Sequence, residues 1–226
     1  MTAAIQPPRA GKAYRGLPLE GLLARWYARI TAGRLDEFRN TARELAERLP
    51  RGGRVLEVAP GPGYLAIELA KLGDFWVVGL DISRSFVRMA TDNAARAGVT
   101  AEFQLGDAAA MPFDADSFDL IYCQAAFKNF AEPVQAIVEM HRVLKAGGTA
   151  IICDLRKDAT PEAIAAEVAR MKLNRVNTIL TKWTFKHSLL KRAYTEERFR
   201  AMVAQTPFRT CEVRLGPIGL DVVMVK

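Results

Sequence analysis

The stretch VLEVAPGPGY, residues 55–64, decides the fold. Its apolar first half, which contains Glu57, predicts a buried β-strand, and its glycines and prolines predict a tight turn before a helix. Because Gly61 and Gly63 carry no side chain, a ligand at the carboxyl end of this strand could approach the backbone of the turn closely. The stretch therefore predicts a strand–turn–helix unit with a ligand site at its turn.

Short apolar runs alternate with longer helical periods around this stretch, which is typical of βαβ units. Strands are predicted over residues 54–59, 75–80, 100–105, 117–123 and 148–154. Helices are predicted between them over residues 63–72, 84–97 and 133–144. Since crossovers between parallel strands are right-handed, the predicted fold class is α/β with a doubly wound sheet.

The two ends of the chain add further helices and a hairpin to this core. Amphipathic helices are predicted over residues 19–30 and 35–49, from 160 to about 175, and from 195 onward. Two apolar stretches, 208–215 and 218–225, predict an antiparallel hairpin around Gly216 and Pro217.

The composition describes a chain that can bury a full core: half of its residues are apolar, a quarter are charged and the mean hydropathy is +0.01. No apolar run approaches the ~18 residues of a membrane span, and the first residues lack a signal-peptide pattern. We therefore expect no membrane span and a cytoplasmic location. The three cysteines form no CxxC pair and are expected to be buried thiols, and no metal site is predicted.

The net charge of +7 raises the hypothesis of a nucleic-acid partner. Lysines and arginines are, however, spread along the predicted helices beside glutamates, which is typical of solvated helix faces. The denser basic stretch over residues 170–200 favours a solvated or lid-forming helix, with a nucleic-acid groove as the alternative. Nucleic acid is accordingly not the expected partner.

Two more polar landmarks follow neighbouring predicted strands. Asp81 ends the strand 75–80, where a carboxylate could accept both ribose hydroxyls of an adenosine ligand. Asp107 follows the strand 100–105, where it or a neighbouring amide could bond an adenine amino group. Taken singly, the glycine turn could be a simple connection and each aspartate a helix cap. Together they would line one crevice, which favours a nucleotide site.

At this point the chain resembles the class I S-adenosylmethionine-dependent methyltransferases, in particular the ubiquinone/menaquinone-methyltransferase-like group called type 11. The resembling segments are residues 55–70, 80–83, 106–113, 117–120 and 139–148. The resemblance implies a Rossmann-like sheet with strand order 3-2-1-4-5-7-6, mostly parallel with a C-terminal antiparallel strand. It also implies S-adenosyl-L-methionine as the cofactor and S-adenosyl-L-homocysteine as the product.

The resemblance assigns Glu57 and the turn 59–63 to the methionine part of the cofactor, Asp81 to its ribose, and Asp107 with Ala108 to its adenine. The full expected cofactor-binding set is Tyr14, Glu57, Ala59, Gly61, Gly63, Asp81, Ile82, Asp107, Ala108, Cys123 and Gln124. One departure is Ala59, which stands where the family has a glycine. Because alanine is small, binding should survive, but we expect its backbone to avoid positive φ.

We expect a single domain of 226 residues. Its expected parts are a flexible arm over 1–13, N-terminal helices over 14–50, a cofactor-binding core over 51–155, lid helices over 156–206 and terminal strands over 207–226. A monomer and a homodimer both stay open. An NAD-linked dehydrogenase is the competing nucleotide interpretation, but the PGPG turn departs from GxGxxG and residues 106–113 have no comparable role there.

A sulfonium methyl is already activated, so its transfer needs alignment more than a signature catalytic residue. The acceptor is expected beyond the fourth strand, at residues 123–130, where the D/NPPY motif of amino-methylating enzymes is absent. Lys128 could orient an anionic acceptor or could simply face solvent. His187 is a candidate base or an ordinary member of an aromatic cluster. The expected acceptor pocket consists of Tyr27, Phe127, Asn129, Trp183 and Phe185.

Three functions stay open. The first is methylation of a small, partly apolar acceptor such as a phenol, quinone-like ring, amine or carboxylate, at oxygen, nitrogen or carbon. The second is methylation of RNA or protein, which the +7 charge would suit. The third is a non-catalytic module that binds S-adenosylmethionine.

Overall fold

The computed structural model describes residues 14–15, 19–170, 175–185 and 189–226. Seven strands form one sheet in the order β3-β2-β1-β4-β5-β7-β6. The strands are β1 (Arg54–Val58), β2 (Trp76–Asp81), β3 (Ala101–Leu105), β4 (Phe118–Gln124), β5 (Leu144–Leu155), β6 (Glu212–Leu215) and β7 (Gly219–Val225). Neighbouring strands are parallel except around β7, which is antiparallel to both β5 and β6. The expected order and the antiparallel C-terminal strand are confirmed.

Helices cover both faces of this sheet. They are α1 (Gly21–Thr31), α2 (Leu35–Ala46), α3 (Tyr64–Ala70), α4 (Arg84–Ala97), α5 (Pro133–Val143), α6 (Pro161–Arg170), α7 (Arg175–Thr184), α8 (Leu190–Arg192) and α9 (Glu196–Val203). Local signals set several ends: the Ser83 hydroxyl caps α4 by accepting from the Phe86 amide, and Gly98 ends it in the left-handed conformation. Among the described residues, no helix is long and apolar enough to cross a membrane.

Several predicted boundaries differ from the structure; strand β5, for example, begins at Leu144 rather than at residue 148. The strand predicted from residue 208 begins only at Glu212, because Phe208 is buried in the core and packs edge-on against His141 at 4.9 Å between ring centroids. The helix predicted over 160–175 corresponds to α6, described over Pro161–Arg170, and residues 171–174 of that prediction lie outside the described residues.

Strand β1 shows how the two faces of the sheet are used. Leu56 and Val58 belong to a core cluster with α5 and α9, whereas Val55 belongs to the opposite cluster, against α2 and α3. Because side chains alternate along a strand, Glu57 lies on the same face as Val55 and points toward α3. A carboxyl group thus occupies a core position at the carboxyl end of the sheet.

Candidate donor and acceptor site

Glu57 is buried where β1 ends. Its Oε2 accepts a hydrogen bond from the Ala66 amide at 2.9 Å, near the start of α3. Burial raises the pKa of Glu57 to about 8. The nearby charge of Asp81 contributes to this value, and the Ala66 amide opposes it. The first carboxyl group of the site is therefore tuned to titrate close to neutral pH.

Two glycines in the turn after β1 have different roles. Gly61 has a φ of 56°, and a side chain there would meet only a ring carbon of Tyr27, at 3.8 Å. A ligand can therefore approach its backbone, as the sequence suggests. Gly63 has a φ of 77°, and a Cβ would lie 2.8 Å from Ala90 Cβ and 2.9 Å from Phe103. Glycine is required at 63 by helix and strand packing rather than by ligand clearance.

Ala59 adopts a φ of 58°, so the prediction that it avoids positive φ is wrong. Its amide donates to the Leu80 carbonyl oxygen at 2.7 Å, which ties the turn to β2 and fixes this conformation. A non-glycine residue in the left-handed region carries about 1–2 kcal/mol of steric cost. The turn therefore keeps the geometry that a glycine would favour, although alanine occupies the position.

Asp81 is buried at the end of β2 and holds the neighbouring turn. Its Oδ2 accepts from the Gly61 amide at 3.0 Å, and its Oδ1 accepts from the Ser83 amide at 2.8 Å. Burial raises the pKa of Asp81 to about 6, against the lowering effect of these backbone donors. Ile82, which follows it, is exposed at the edge of the site.

Asp107 continues the same row at the end of β3. The Gly106 amide donates to the Asp81 carbonyl oxygen at 2.9 Å, so the ends of β2 and β3 are joined directly. Asp107 Oδ1 accepts from the Ala109 amide at 2.9 Å, which fixes its side chain beside Ala108. The carboxyl groups predicted from the sequence therefore follow three neighbouring strands and meet at one edge of the sheet.

Helix α1 covers the glycine turn. A cavity of about 50 Å³ lies between them and is lined by, among others, Tyr27, Thr31, Glu57, Gly61, Tyr64 and Gln124. The Tyr64 hydroxyl donates to the Ala28 carbonyl oxygen at 3.1 Å, which holds α1 against the start of α3. A glycine turn open to close approach, beside two buried carboxyl groups, fits the amino group and ribose hydroxyls of S-adenosylmethionine.

Lys128 is buried, which rules out the alternative that it faces solvent. Its Nζ donates to Asp154 Oδ1 at 2.7 Å and to the Ala125 carbonyl oxygen at 2.5 Å. The side chains of Lys128 and Asp154 are only 5% and 1% exposed. Asp154 Oδ2 also accepts from the Lys128 amide at 2.8 Å. Asp154 is not among the site residues predicted from the sequence, although it lies near the end of β5 much as Asp81 ends β2.

The site has two parts: a donor half, formed by the turn 59–63 with Glu57, Asp81 and Asp107, and an acceptor half, formed by residues 123–130 with Asp154. Tyr14 connects the two halves. It forms a backbone bridge with Phe130, just after the Lys128 turn. Burial raises the pKa of Tyr14 against the lowering effect of Arg192, and the charges of Asp81 and Asp154 raise it further. The Tyr14 side chain is thus within electrostatic reach of both carboxylates, one from each half.

Arg15 holds the chain over the same turn. Its amide donates to the Asn129 carbonyl oxygen at 2.7 Å, and its guanidinium donates to the Tyr194 hydroxyl at 3.0 Å. This places Asn129 beneath the N-terminal segment, at the rim of the acceptor half.

The other predicted residues divide between core and surface. Phe127 is fully buried against Phe130 and Phe199, each 5.2 Å away between ring centroids, so it belongs to the core and not to a pocket wall. Burial raises the pKa of the Cys123 thiol well above its usual range, which fits a packed and unreactive thiol.

The predicted lid residues are not brought together on one wall. Trp183 is exposed, and Phe185 is buried in a small cluster with Ile164 and Val168. His187 lies outside the described residues.

Comparisons with known proteins match this chain to methyltransferases. Residues 49–205 match a family described as a methyltransferase domain. A demethylmenaquinone methyltransferase of Deinococcus radiodurans is 31% identical over 169 residues, which cover 71% of this chain and 69% of that protein. The ubiquinone/menaquinone biosynthesis C-methyltransferase UbiE of Geotalea uraniireducens is 33% identical over 111 residues, 47% of each chain. A crystal structure described as an S-adenosylmethionine-dependent methyltransferase, from Methanococcus maripaludis, superimposes with a TM-score of 0.74 at 23% identity, covering 96% of this chain and 97% of that one.

Proposed function

This chain belongs to the methyltransferase domain family and is an S-adenosylmethionine-dependent enzyme, and from this premise we propose that its acceptor is a small, partly apolar ring of the quinol type. The names of the two similar bacterial enzymes support this acceptor class, because both describe methylation in quinone biosynthesis. Methylation of RNA or protein and a purely binding function are not favoured by these relatives.

The observation that supports binding of the methyl donor, on which the proposal depends, is the row of hydrogen-bonded strand ends. The Gly61 amide joins the turn after β1 to Asp81, and the Gly106 amide joins β3 to the same residue. In this arrangement Glu57 would hold the amino group of the methionine part, Asp81 the ribose hydroxyls, and Asp107 with Ala108 the adenine. When bound, S-adenosylmethionine supplies a methyl group that its sulfonium has already activated for in-line transfer.

On the acceptor side we assign Lys128 and Asp154 a positioning role. The Lys128 Nζ is committed to the Asp154 carboxylate at 2.7 Å, and both side chains are buried. This ammonium group is well placed to fix the turn over Ala125–Phe130, because it also donates to the Ala125 carbonyl oxygen. Gln124, which lines the cavity, immediately precedes that turn. The pair therefore shapes the wall on which the acceptor would rest.

Although the resemblance places Tyr14 in the cofactor-binding set, we propose that its hydroxyl contacts the acceptor. Because its pKa is raised, its hydroxyl keeps its proton at neutral pH and can donate a hydrogen bond. A donor between the two halves of the site would orient an acceptor oxygen, so that an electron-rich ring atom faces the methyl group. We further propose that the enzyme acts in the cytoplasm, as a monomer or homodimer.

The test is transfer of a tritiated methyl group from S-adenosylmethionine to a reduced, short-chain naphthoquinone, with the product identified by mass spectrometry. We expect a product that is heavier by one methyl group, and loss of its formation in Tyr14→Phe with little change in donor affinity. A catechol, a short RNA and a denatured protein mixture serve as competing acceptors. Preferential labelling of RNA or protein, or labelling of none of the acceptors, would overturn the proposed acceptor class.

A further inference from the structure

Helix α1 buries small side chains and exposes large apolar ones, which is the reverse of an ordinary surface helix. The side chains that it buries are small, Ala24, Ala28 and Thr31. Its large apolar side chains face outward, with Leu22 81%, Trp26 59% and Ile30 54% exposed. A helix that serves only to cover a protein core is expected to bury its large apolar residues. This reversed pattern indicates that the outer face of α1 meets something other than water.

The exposed apolar residues form one continuous stripe. Leu22, Trp26 and Ile30 are four residues apart, so they lie in a row on one side of the helix, and the exposed Leu23 lies beside that row. With about 1.5 Å of rise per residue, the row is about 12 Å long. At 11 residues α1 is far too short to cross a bilayer, but it is long enough to lie in the surface of one.

The charges beside the stripe select the kind of surface. Arg25 and Arg29 are exposed, are four residues apart and flank the apolar row. The helix Gly21–Thr31 contains no acidic residue, and the preceding Glu20 is engaged by the amides of Arg84 and Ser85. We propose that α1 docks the enzyme on the surface of an anionic lipid bilayer, with its apolar row in the interface and its arginines on lipid phosphates.

Helix α7 repeats the pattern on a smaller scale. Ile179 and Trp183, also four residues apart, are both exposed. Helix α7 packs on α6, whose Glu167 is close enough to Arg34 for its charge to raise the arginine pKa. Since Arg34 lies three residues after the end of α1, Glu167 of α6 is within electrostatic reach of that end. A lipid surface is favoured over a second copy of this chain, because pairing two α1 helices would bring their arginines together.

The docking has a consequence for the acceptor, and this step rests on the proposed function. Tyr27 and Thr31 of the same helix lie outside the stripe and line the cavity at the glycine turn. With a helix about 10–12 Å in diameter, the site would lie about one helix width from the lipid. A lipid-soluble quinol could then reach the site without crossing bulk water.

The experiment is vesicle flotation with the purified chain, without donor or acceptor, using phosphatidylcholine vesicles with and without about 30 mol% phosphatidylglycerol. We expect at least about tenfold stronger binding to the anionic vesicles, weakened by added salt. Trp26→Ser with Ile30→Ser should reduce this binding at least about tenfold, because it removes apolar area from the interface. Arg25→Gln with Arg29→Gln should remove most of the preference for the anionic lipid.

The matched control is Leu72→Ser with Leu215→Ser, which changes two exposed apolar residues outside α1 and should leave vesicle binding unchanged. Unchanged affinity of each variant for S-adenosylhomocysteine shows that it is folded. Equal binding by the stripe variant and the wild type, or no binding to anionic vesicles, would overturn the inference. So would a wild-type dimer in solution that the stripe variant converts to a monomer, since a second copy would then cover α1. Because the readout needs no acceptor, it stands apart from the success of the quinol assay.

Discussion

The donor half and the acceptor half of the site are built by different kinds of contact. On the donor side, each buried carboxyl group is fixed by a backbone amide close in sequence: Ala66 lies nine residues after Glu57, and Ser83 two after Asp81. On the acceptor side, Lys128 reaches an aspartate 26 residues away. The buried carboxyl groups of the donor half are therefore held by backbone amides within residues 57–83, and we expect them to keep their geometry when other parts of the chain change, whereas the acceptor half depends on how more distant segments pack.

The largest effect that separates the halves is expected from Lys128→Met. It leaves the Asp154 carboxylate buried without its cation, which should lower the free energy of unfolding by about 3–5 kcal/mol in urea titrations. Affinity of the remaining folded protein for S-adenosylhomocysteine should change little, because the donor half is held separately.

The matched control for this variant is Lys145→Met. Lys145 pairs with Asp119 at 2.8 Å and also 26 residues away, but the two side chains are 40% and 19% exposed. The expected cost is below about 1 kcal/mol, since solvent screens an exposed pair. Equal costs for the two variants, or lost donor affinity in Lys128→Met, would erase the distinction between the halves.

Asp81→Ala addresses the donor half itself. Removing a carboxylate that holds the turn and is proposed to bind the ribose should weaken binding of S-adenosylhomocysteine about 100-fold by calorimetry, since hydrogen bonds to charged groups are strong. The exposed Asp74→Ala serves as the control and should bind normally. NAD should give no heat with either protein. Near-normal binding by Asp81→Ala would remove this residue from the site.

Glu57→Gln tests the electrostatic state of the donor half. The folded protein retains the Glu57 proton up to a pKa of about 8, whereas an unfolded chain releases it near 4.5. Wild-type stability should therefore be highest below pH 4.5 as far as this group is concerned, and should fall as the pH rises toward 8. Between pH 5 and 7 we expect Glu57→Gln to lose less stability than the wild type, by on the order of 2 kcal/mol. Parallel pH profiles in urea titrations would contradict the raised pKa.

The smallest effect is expected from Ala59→Gly. Relief of the positive φ should raise the free energy of unfolding by about 1 kcal/mol, less the entropy that glycine adds to the unfolded chain. Ala66→Gly, in the first half of α3, is the counterpart and should lower stability by about 1 kcal/mol. Loss of stability in both variants would show that the left-handed conformation at residue 59 carries no strain.

The sequence predicted the donor half better than the acceptor half for a physical reason. An apolar strand that ends in an acid and a glycine turn determines its own geometry, so the positions of Glu57, Asp81 and Asp107 at one sheet edge could be anticipated. Their contacts with the donor stay predictions. The φ of Ala59 could not be anticipated, because it is imposed by a hydrogen bond to β2.

The acceptor half lacks such local signals. Burial of Phe127 results from packing against Phe199, 72 positions later in the chain, and no nearby pattern announces it. Asp154 could have been found by applying to β5 the rule that located Asp81, an acidic residue at the carboxyl end of a buried strand. Its partner Lys128 could not, because an isolated lysine in a turn usually faces solvent.

Amide hydrogen exchange with and without saturating S-adenosylhomocysteine tests the donor site most directly. Slower exchange is predicted in three separate segments, residues 57–66, 81–86 and 105–111, with no change across the hairpin of β6 and β7. Protection of all three would show that one ligand bridges the ends of β1, β2 and β3. Protection of only one segment, or of the hairpin instead, would contradict a donor site shared by three strands.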